Sequence, residues 1–300
     1  MDPLFLQLSL VPILVGVLSA IACALPGNFL ILRGQALIGD AISHVVLPGI
    51  VVSFLVTGTV STWPMLAGAA AAAGLAVVLI EAIRRLGRVD AGAAMGVTFT
   101  TLFAGGVLLL EQSDTSSVHL DVEHALYGNL ESLIWLGAES WGSFFDPVAR
   151  ADLPPELTRM AVVATLIAGL TWVLWRPLTL ATFDENHAKS LGLPSAVIGV
   201  GLVLAAALAA VAAFDAVGSI LVIAMFICPP ATARLLTNRL GLQVALSVMI
   251  AAASAVLGYV FAGYGPLWLG FSASVSAAGM IATLSGVFLA LACIFGPHRR

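Results

Sequence analysis

Charged side chains are scarce in this sequence. Only 9% of its 300 residues are Asp, Glu, Lys or Arg, against about 25% in soluble domains, and Lys189 is the single lysine. So few charges cannot cover the surface of a soluble protein of this length. A formal net charge of −4 with no basic stripe also excludes a nucleic-acid-binding protein, so we expect no nucleic-acid partner.

Cysteine and nucleotide-binding motifs are scarce as well. The three cysteines, Cys23, Cys228 and Cys293, lie far apart in apolar runs, which excludes a disulfide framework and a thiolate metal site. The only Lys-Ser pair, Lys189-Ser190, lacks the preceding glycine of a phosphate-binding loop. Metalloprotease and serine-hydrolase motifs are also missing. We therefore predict a protein that is not an enzyme and needs no cofactor; if ATP drives it, a separate subunit supplies the nucleotide.

Apolar residues, by contrast, make up 60% of the chain, where about 45–50% is usual. Runs of this kind satisfy their backbone groups in lipid only as helices. The sequence predicts an all-α polytopic membrane helix bundle, one transmembrane domain over 1–300, with about nine spans (eight to ten fit the run ends). The expected spans are 8–32, 42–57, 62–83, 92–111, 159–176, 196–213, 216–236, 241–262 and 269–294.

The basic residues predict the orientation of these spans. If alternate connections share a side, one side holds ten of the twelve Lys and Arg residues: Arg33, Arg84, Arg85, Arg88, Arg176, Lys189, Arg234, Arg239, Arg299 and Arg300. Only Arg150 and Arg159 lie opposite. The positive-inside rule then places the C-terminus in the cytoplasm and the N-terminus outside.

The long connection 112–158 becomes an extracytoplasmic insertion under this orientation. Its apolar residues between 122 and 145 are spaced for an amphipathic segment that lies on the outer surface or caps the bundle. The side chains of His119, Asp121, Glu123 and His124 have metal-ligand chemistry, but without a fixed scaffold such a group is more often a solvated loop than a metal site.

Asp40 and His44 are the most informative polar residues, because polar groups inside a span cost free energy unless paired or hydrated. They are four residues apart, so on a helix they share one face. A carboxylate and an imidazole can ligate Mn²⁺, Fe²⁺ or Zn²⁺, and Pro48 and Gly49 loosen the following turn so that carbonyls can contribute. The alternative is an Asp–His hydrogen bond that joins two helices.

Three further features bear on conformational change. Residues 184–193 have a helix signature, with Asp184 as cap, Glu185 in the first turn, Ala188 and Leu191 on one face, and Gly192 as terminator. Such a segment is a docking element or a connector. Asp215 lies between two spans, where capping or gating is expected, and Pro229 and Pro230 break or kink the next span.

Three ordered segments resemble the permease subunits of manganese, zinc and iron ATP-binding-cassette importers, the ABC-3 family. They are LIGDAISHVVLPG at 37–49, FDENHAKSLGLP at 183–194 and DAVGSILVIAMFICPPATARLL at 215–236. Weaker matches, DAGAAMG at 90–96 and EHALYG at 123–128, fall between them in order. The resemblance therefore spans nearly the whole chain. It departs from the family pattern in about 20 extra residues near 137–156.

The resemblance implies a permease in a bacterial plasma (inner) membrane that forms the translocation pathway of a divalent metal importer, with Mn²⁺ favoured and Zn²⁺ or Fe²⁺ allowed. Its implied partners are a second permease (a homodimer or a paralogue), an extracytoplasmic metal-binding protein and a cytoplasmic ATP-binding subunit on a coupling helix at 184–193. Asp40 and His44 then contact the metal as substrate. The alternative function is a stand-alone secondary metal transporter or channel.

Overall fold

The computed structural model describes residues 3–58, 62–112, 128–268, 270 and 275–297, and these residues form helices and loops without a strand. The helices, in chain order, are α1 (Pro3–Leu8), α2 (Leu10–Leu32), α3 (Ile38–Thr57), α4 (Thr62–Gly87), α5 (Ala91–Gln112), α6 (Pro147–Ala151), α7 (Pro155–Val173), α8 (Trp175–Phe183), α9 (Glu185–Ser190), α10 (Ser195–Leu236), α11 (Leu240–Trp268) and α12 (Ala277–Phe295).

Eight of the described helices are long and apolar enough to cross a membrane: α2, α3, α4, α5, α7, α10, α11 and α12. The chain therefore has the architecture of a multi-pass helical membrane protein. The count is one fewer than the nine predicted spans, and the difference lies in α10.

α10 is 42 residues long, or about 63 Å at 1.5 Å per residue, roughly twice the hydrocarbon thickness of a bilayer. It is interrupted at Gly218, whose φ of 74° and ψ of 167° are not helical. Residues 195–217 form its first arm and residues 219–236 its second. The predicted spans 196–213 and 216–236 are these two arms, which join without a loop.

Contacts with α2 show that α10 turns back on itself at Gly218. In the first arm, Gly199 lies against the guanidinium of Arg33, just after the end of α2. At the tip, the carbonyl of Ala216 accepts a hydrogen bond from Asn129, far from Arg33. In the second arm, Pro230 is again beside α2, at Gly27. The two arms are therefore antiparallel, and counting them separately gives nine passages.

The two ends of the bundle are named here by a residue found at each. We call one the Arg33 end; it holds Arg33, Arg84 and the segment from Glu185 to Ser195. We call the other the Gln7 end. There the N–H of Trp135 donates to the carbonyl of Gln7 at 2.9 Å.

Residues 128–152 cover the Gln7 end. The part of the expected amphipathic segment 122–145 that the structure describes forms two short 3₁₀ turns, Leu130–Ser132 and Trp141–Phe144, and α6 follows. Leu130 and Trp135 are fully buried, and the indole N–H of Trp135 donates to the carbonyl of Ala149 at 2.7 Å. Of the two alternatives, surface segment or cap, this part of the chain is a cap.

α2 is the central helix of the bundle. It packs against α7, α10 and α11, whereas α3 packs against α4, α5 and α10. α3 follows α2 after a short turn in which Gly34 has a φ of 67°. This turn brings Asp40 and His44 to the side of the bundle formed by α3 and α5.

Candidate functional site

Asp40 and His44 lie in the first two turns of α3, as the four-residue spacing predicts. A carboxylate in the first turn is favourable because the N-terminus of a helix carries partial positive charge. Asp40 Oδ1 is 3.3 Å from His44 Nε2, and the side chains are 27% and 36% exposed, respectively. The pair is therefore bonded internally, and both side chains remain partly accessible in the single chain.

Two aromatic rings of α5 hold the imidazole in place. The ring of Phe99 stacks on that of His44, with centroids 5.4 Å apart and planes 22° apart. Phe103 meets the same imidazole edge-on at 5.7 Å. One turn further along, Pro48 packs on Gly106 of α5. The sequence analysis missed Phe99 and Phe103, although their four-residue spacing matches that of Asp40 and His44.

Pro48 adds an oxygen to this site. It lies inside α3, four residues after His44, and proline has no N–H to donate to the carbonyl of residue i−4. The carbonyl of His44 therefore lacks its helical donor. Each chain offers a carboxylate, an imidazole and this carbonyl along one stripe of α3.

The described residues contain no group of three or more His, Cys, Asp or Glu side chains that could hold a metal ion. Two side-chain ligands are too few to retain a divalent ion permanently. Weak binding suits conduction, because an ion that enters must also leave. The acidic and histidine group at 119–124 falls outside the described residues.

The segment expected to dock a partner forms the short helix α9. The carboxylate of Asp184 caps it by accepting a hydrogen bond from the N–H of His187 at 2.8 Å. Glu185 pairs with Lys189 at 2.8 Å, and this hydrogen bond lowers the pKa of the Glu185 carboxyl. Gly192 follows with a φ of 77°, a left-handed conformation that glycine adopts without strain.

Ala188 and Leu191 do not share a surface in the way their spacing predicts. Ala188 is fully buried, whereas Leu191 is 58% exposed, because α9 ends at Ser190 before Leu191 can continue its face. Ala188 therefore seats α9 on the rest of the chain, and Leu191 faces away from it.

A cavity of about 90 Å³ joins α9 to the turn before α3. Arg33 lines it together with Glu81 of α4 and Glu185 of α9. Burial lowers the pKa of the Arg33 guanidinium. The hydroxyl of Ser195 donates to Glu185 at 3.3 Å, so α9 is also tied to the first arm of α10.

The remaining candidates, Asp215, Pro229 and Pro230, belong to α10. Asp215 lies near the tip and forms an ion pair with Arg159 of α7 at 3.0 Å. Pro229 and Pro230 are buried in the second arm, where Pro230 contacts Gly27 of α2. None of the three contacts the Asp40–His44 pair directly, so any gating role would act through the helices.

Comparisons with known proteins agree on one family. The family model described as "ABC 3 transport family" matches residues 6–134 and 153–296. The manganese transport system membrane protein MntD of Bacillus subtilis is 41% identical over 94% of this chain and 90% of its own length. The zinc transport system membrane protein TroD of Treponema pallidum is 36% identical over 95% of this chain and 73% of its own.

A solved structure agrees as well. PsaBC from Streptococcus pneumoniae in complex with Fab superposes with a TM-score of 0.75 at 28% identity, over 97% of this chain and 92% of that one. Between its two stretches the family model leaves out residues 135–152, which overlap most of the extra segment that the sequence analysis noted near 137–156. They cover most of the chain, which therefore belongs to the ABC 3 transport family.

Proposed function

We propose that this chain is the permease subunit of an ATP-driven importer of divalent transition-metal ions and forms the translocation pathway. The observation that carries the proposal is the half-open Asp40–His44 pair inside an apolar span. Charged groups at such positions mark ion pathways. Relatives named for manganese and zinc transport support the ion class. Mn²⁺ is favoured because the manganese protein MntD is the more similar of the two.

A second permease subunit would complete the pathway. The pair is partly exposed in the single chain, and α5, which packs on α3 beside it, carries exposed apolar residues such as Val97 and Leu108. A second copy or a paralogue packed there would bring another carboxylate and imidazole to the ion. Hydrated Mn²⁺ accepts carboxylate, imidazole and carbonyl ligands, so waters and the His44 carbonyl would fill the remaining positions.

ATP would be hydrolysed by separate subunits that dock on α9 within the predicted coupling segment 184–193. The Arg33 end is the cytoplasmic end in this proposal, as the distribution of basic residues requires. The cavity shared by Arg33 and Glu185 supports a path from α9 to α3, because the turn after Arg33 leads directly to Asp40. Exposed Leu191 offers the docked subunit an apolar contact.

An extracytoplasmic metal-binding protein would deliver the ion to the Gln7 end. The insertion 112–158 would then face this partner or the outer surface of the lipid bilayer, and the chain would reside in a bacterial plasma (inner) membrane. Asp215 and Arg159, which pair at this end, would lie close to the point of entry.

The test is metal uptake by proteoliposomes that contain the permease, its ATPase and its binding protein. We expect Asp40→Ala and His44→Ala to abolish uptake of radioactive Mn²⁺ while ATPase assembly stays intact. Glu156→Gln serves as the matched control, since Glu156 is a partly exposed acid in the first turn of α7, and should transport like the parent. Uptake at the parental rate by either site variant would overturn the proposal.

The same vesicles distinguish the stand-alone transporter. A secondary transporter or channel would take up Mn²⁺ without the ATPase subunit, whereas the importer requires it together with ATP. Competition of Zn²⁺ and Fe²⁺ against Mn²⁺ then identifies the preferred ion.

A further inference from the structure

The second arm of α10 meets both α2 and α3 through one buried residue, Phe226. This residue is 1% exposed and lies four residues before Pro230. Because proline has no N–H, the carbonyl of Phe226 lacks its helical donor. That carbonyl lies against Gly27 of α2, where a methyl group would collide with it. The two helices can approach this closely because residue 27 is glycine.

The ring of Phe226 touches α3 at the residue before Asp40. A Cβ atom placed on Gly39 would lie 2.7 Å from Cγ and Cδ2 of the ring, a separation well inside van der Waals contact. The ring therefore rests on the backbone of Gly39, in the first turn of α3. This turn is the one that carries the Asp40 carboxylate.

We propose that Phe226 is a positioning residue for Asp40, and that it links the second arm of α10 to the metal site. It holds the first turn of α3 so that Asp40 Oδ1 stays 3.3 Å from His44 Nε2. When a group that orients a metal ligand is altered, the metal affinity typically falls by about 10–100-fold. The inference rests on the proposed function, because it takes Asp40 as a ligand of the transported ion.

The Pro229–Pro230 pair acquires a role in this arrangement. Pro230 packs on Gly27 beside the Phe226 carbonyl, so the kinked part of the second arm is fixed to α2 at the same level at which it contacts α3. A tilt of this arm relative to α2 would reach Asp40 through the contact of the Phe226 ring with Gly39.

The test first adds a methyl group at the contact between Gly39 and Phe226, and then makes room for it with a smaller side chain at position 226. Gly39→Ala forces the ring of Phe226 to move, and we expect the KM for Mn²⁺ uptake to rise about tenfold at an unchanged maximal rate per assembled complex. In the double variant Gly39→Ala with Phe226→Leu, the smaller side chain makes room for the methyl group. Its KM should return close to that of the parent.

Ile281→Ala provides the control for loss of core packing. Ile281 is fully buried in α12 and contacts Gly16 and Gly258, not α3. This variant should lose thermal stability without a change in KM. If Gly39→Ala does not assemble, Phe226→Leu alone should still raise the KM while Ile281→Ala does not.

A parental KM for Gly39→Ala, or a double variant no better than the single one, would overturn the positioning role. The proposed function has its own outcome in the same assay. Loss of uptake in Asp40→Ala together with a parental KM in Gly39→Ala removes only the role of Phe226. Parental uptake in Asp40→Ala removes the metal site itself.

Discussion

The guanidinium of Arg159 donates a hydrogen bond to the carboxylate of Asp215 at 3.0 Å. This ion pair joins the first turns of α7 to the tip of α10, three residues before the chain reverses at Gly218. Arg159 is 17% exposed and Asp215 53%, and Arg159 Nε is buried without a hydrogen-bond partner among the described residues. The arginine therefore depends on Asp215 more than Asp215 depends on the arginine.

From this asymmetry we predict different costs for the two single substitutions. Asp215→Ala leaves a mostly buried guanidinium unpaired and should lower the unfolding free energy by about 1–2 kcal/mol, after allowance for solvent screening. Arg159→Met removes the charge itself and should cost less, and the double variant should resemble Arg159→Met. Thermal unfolding in detergent measures all three. Equal losses in the two single variants would contradict the asymmetry.

A second prediction concerns the reversal of α10. Gly218 combines a positive φ with an extended ψ, a region that is essentially restricted to glycine and costs other residues about 1–3 kcal/mol. Gly218→Ala should therefore destabilise the protein by at least this amount, because Gly128 also packs against the backbone there.

The control for this change is Gly201→Ala in the first arm. Gly201 is helical, exposed, and has no atom within 4 Å of an added Cβ. Alanine favours helices over glycine, so this variant should be as stable as the parent or slightly more so. A Gly218→Ala protein with the parental melting temperature would show that α10 reverses without strain.

The third prediction concerns a buried polar network between α2 and α11. The side-chain amide of Asn28 donates to the hydroxyl of Ser247 at 3.0 Å, and Gln243 donates to the Asn28 carbonyl oxygen at 3.2 Å. All three are fully buried. Asn28→Ala leaves Gln243 and Ser247 without this partner and should cost about 1–2 kcal/mol.

Thr283→Ala is the matched polar control, since Thr283 is exposed and donates to the carbonyl of Gly279 in its own helix. It should change the melting temperature little. If Asn28→Ala proved equally neutral, the network would not contribute to the packing of α2 on α11.

The fourth prediction separates two roles within α9 and the residues after it. Ala188→Glu buries a charge and should prevent α9 from seating, so the ATPase no longer co-purifies with the permease. Leu191→Asp alters an exposed side chain and should leave the fold intact, yet weaken ATPase docking and uncouple hydrolysis from uptake. A Leu191→Asp complex with parental docking and coupling would remove this residue from the proposed interface.

Local patterns explain what could be predicted. The four-residue spacing of Asp40 and His44 places both on one helical face whatever surrounds them, and the cap at Asp184 is likewise set within a few residues. Phe99 and Phe103 could not be assigned to the site, because their contact with His44 depends on how α5 packs on α3. Spacing also could not show which face of α9 is buried, so Ala188 and Leu191 were grouped together.

The reversal of α10 could be predicted only in part. The apolar pattern placed a break between 213 and 216, but Ala216 and Val217 remain helical and the reversal occurs at Gly218. Apolar runs record the thickness of the bilayer. They do not determine whether two successive spans are joined by a loop or by one residue with an unusual backbone conformation.

Residues 137–152 begin and end at nearly the same point in space. The N–H of Gly137 donates to the carboxylate of Asp152 at 2.9 Å, so the intervening residues form a loop that is closed at its base. A segment closed at its base adds length to the chain without separating the spans on either side. Evolution can therefore lengthen, trim or exchange it while the transmembrane frame keeps its geometry, which is why a family-wide pattern can continue on both sides of it.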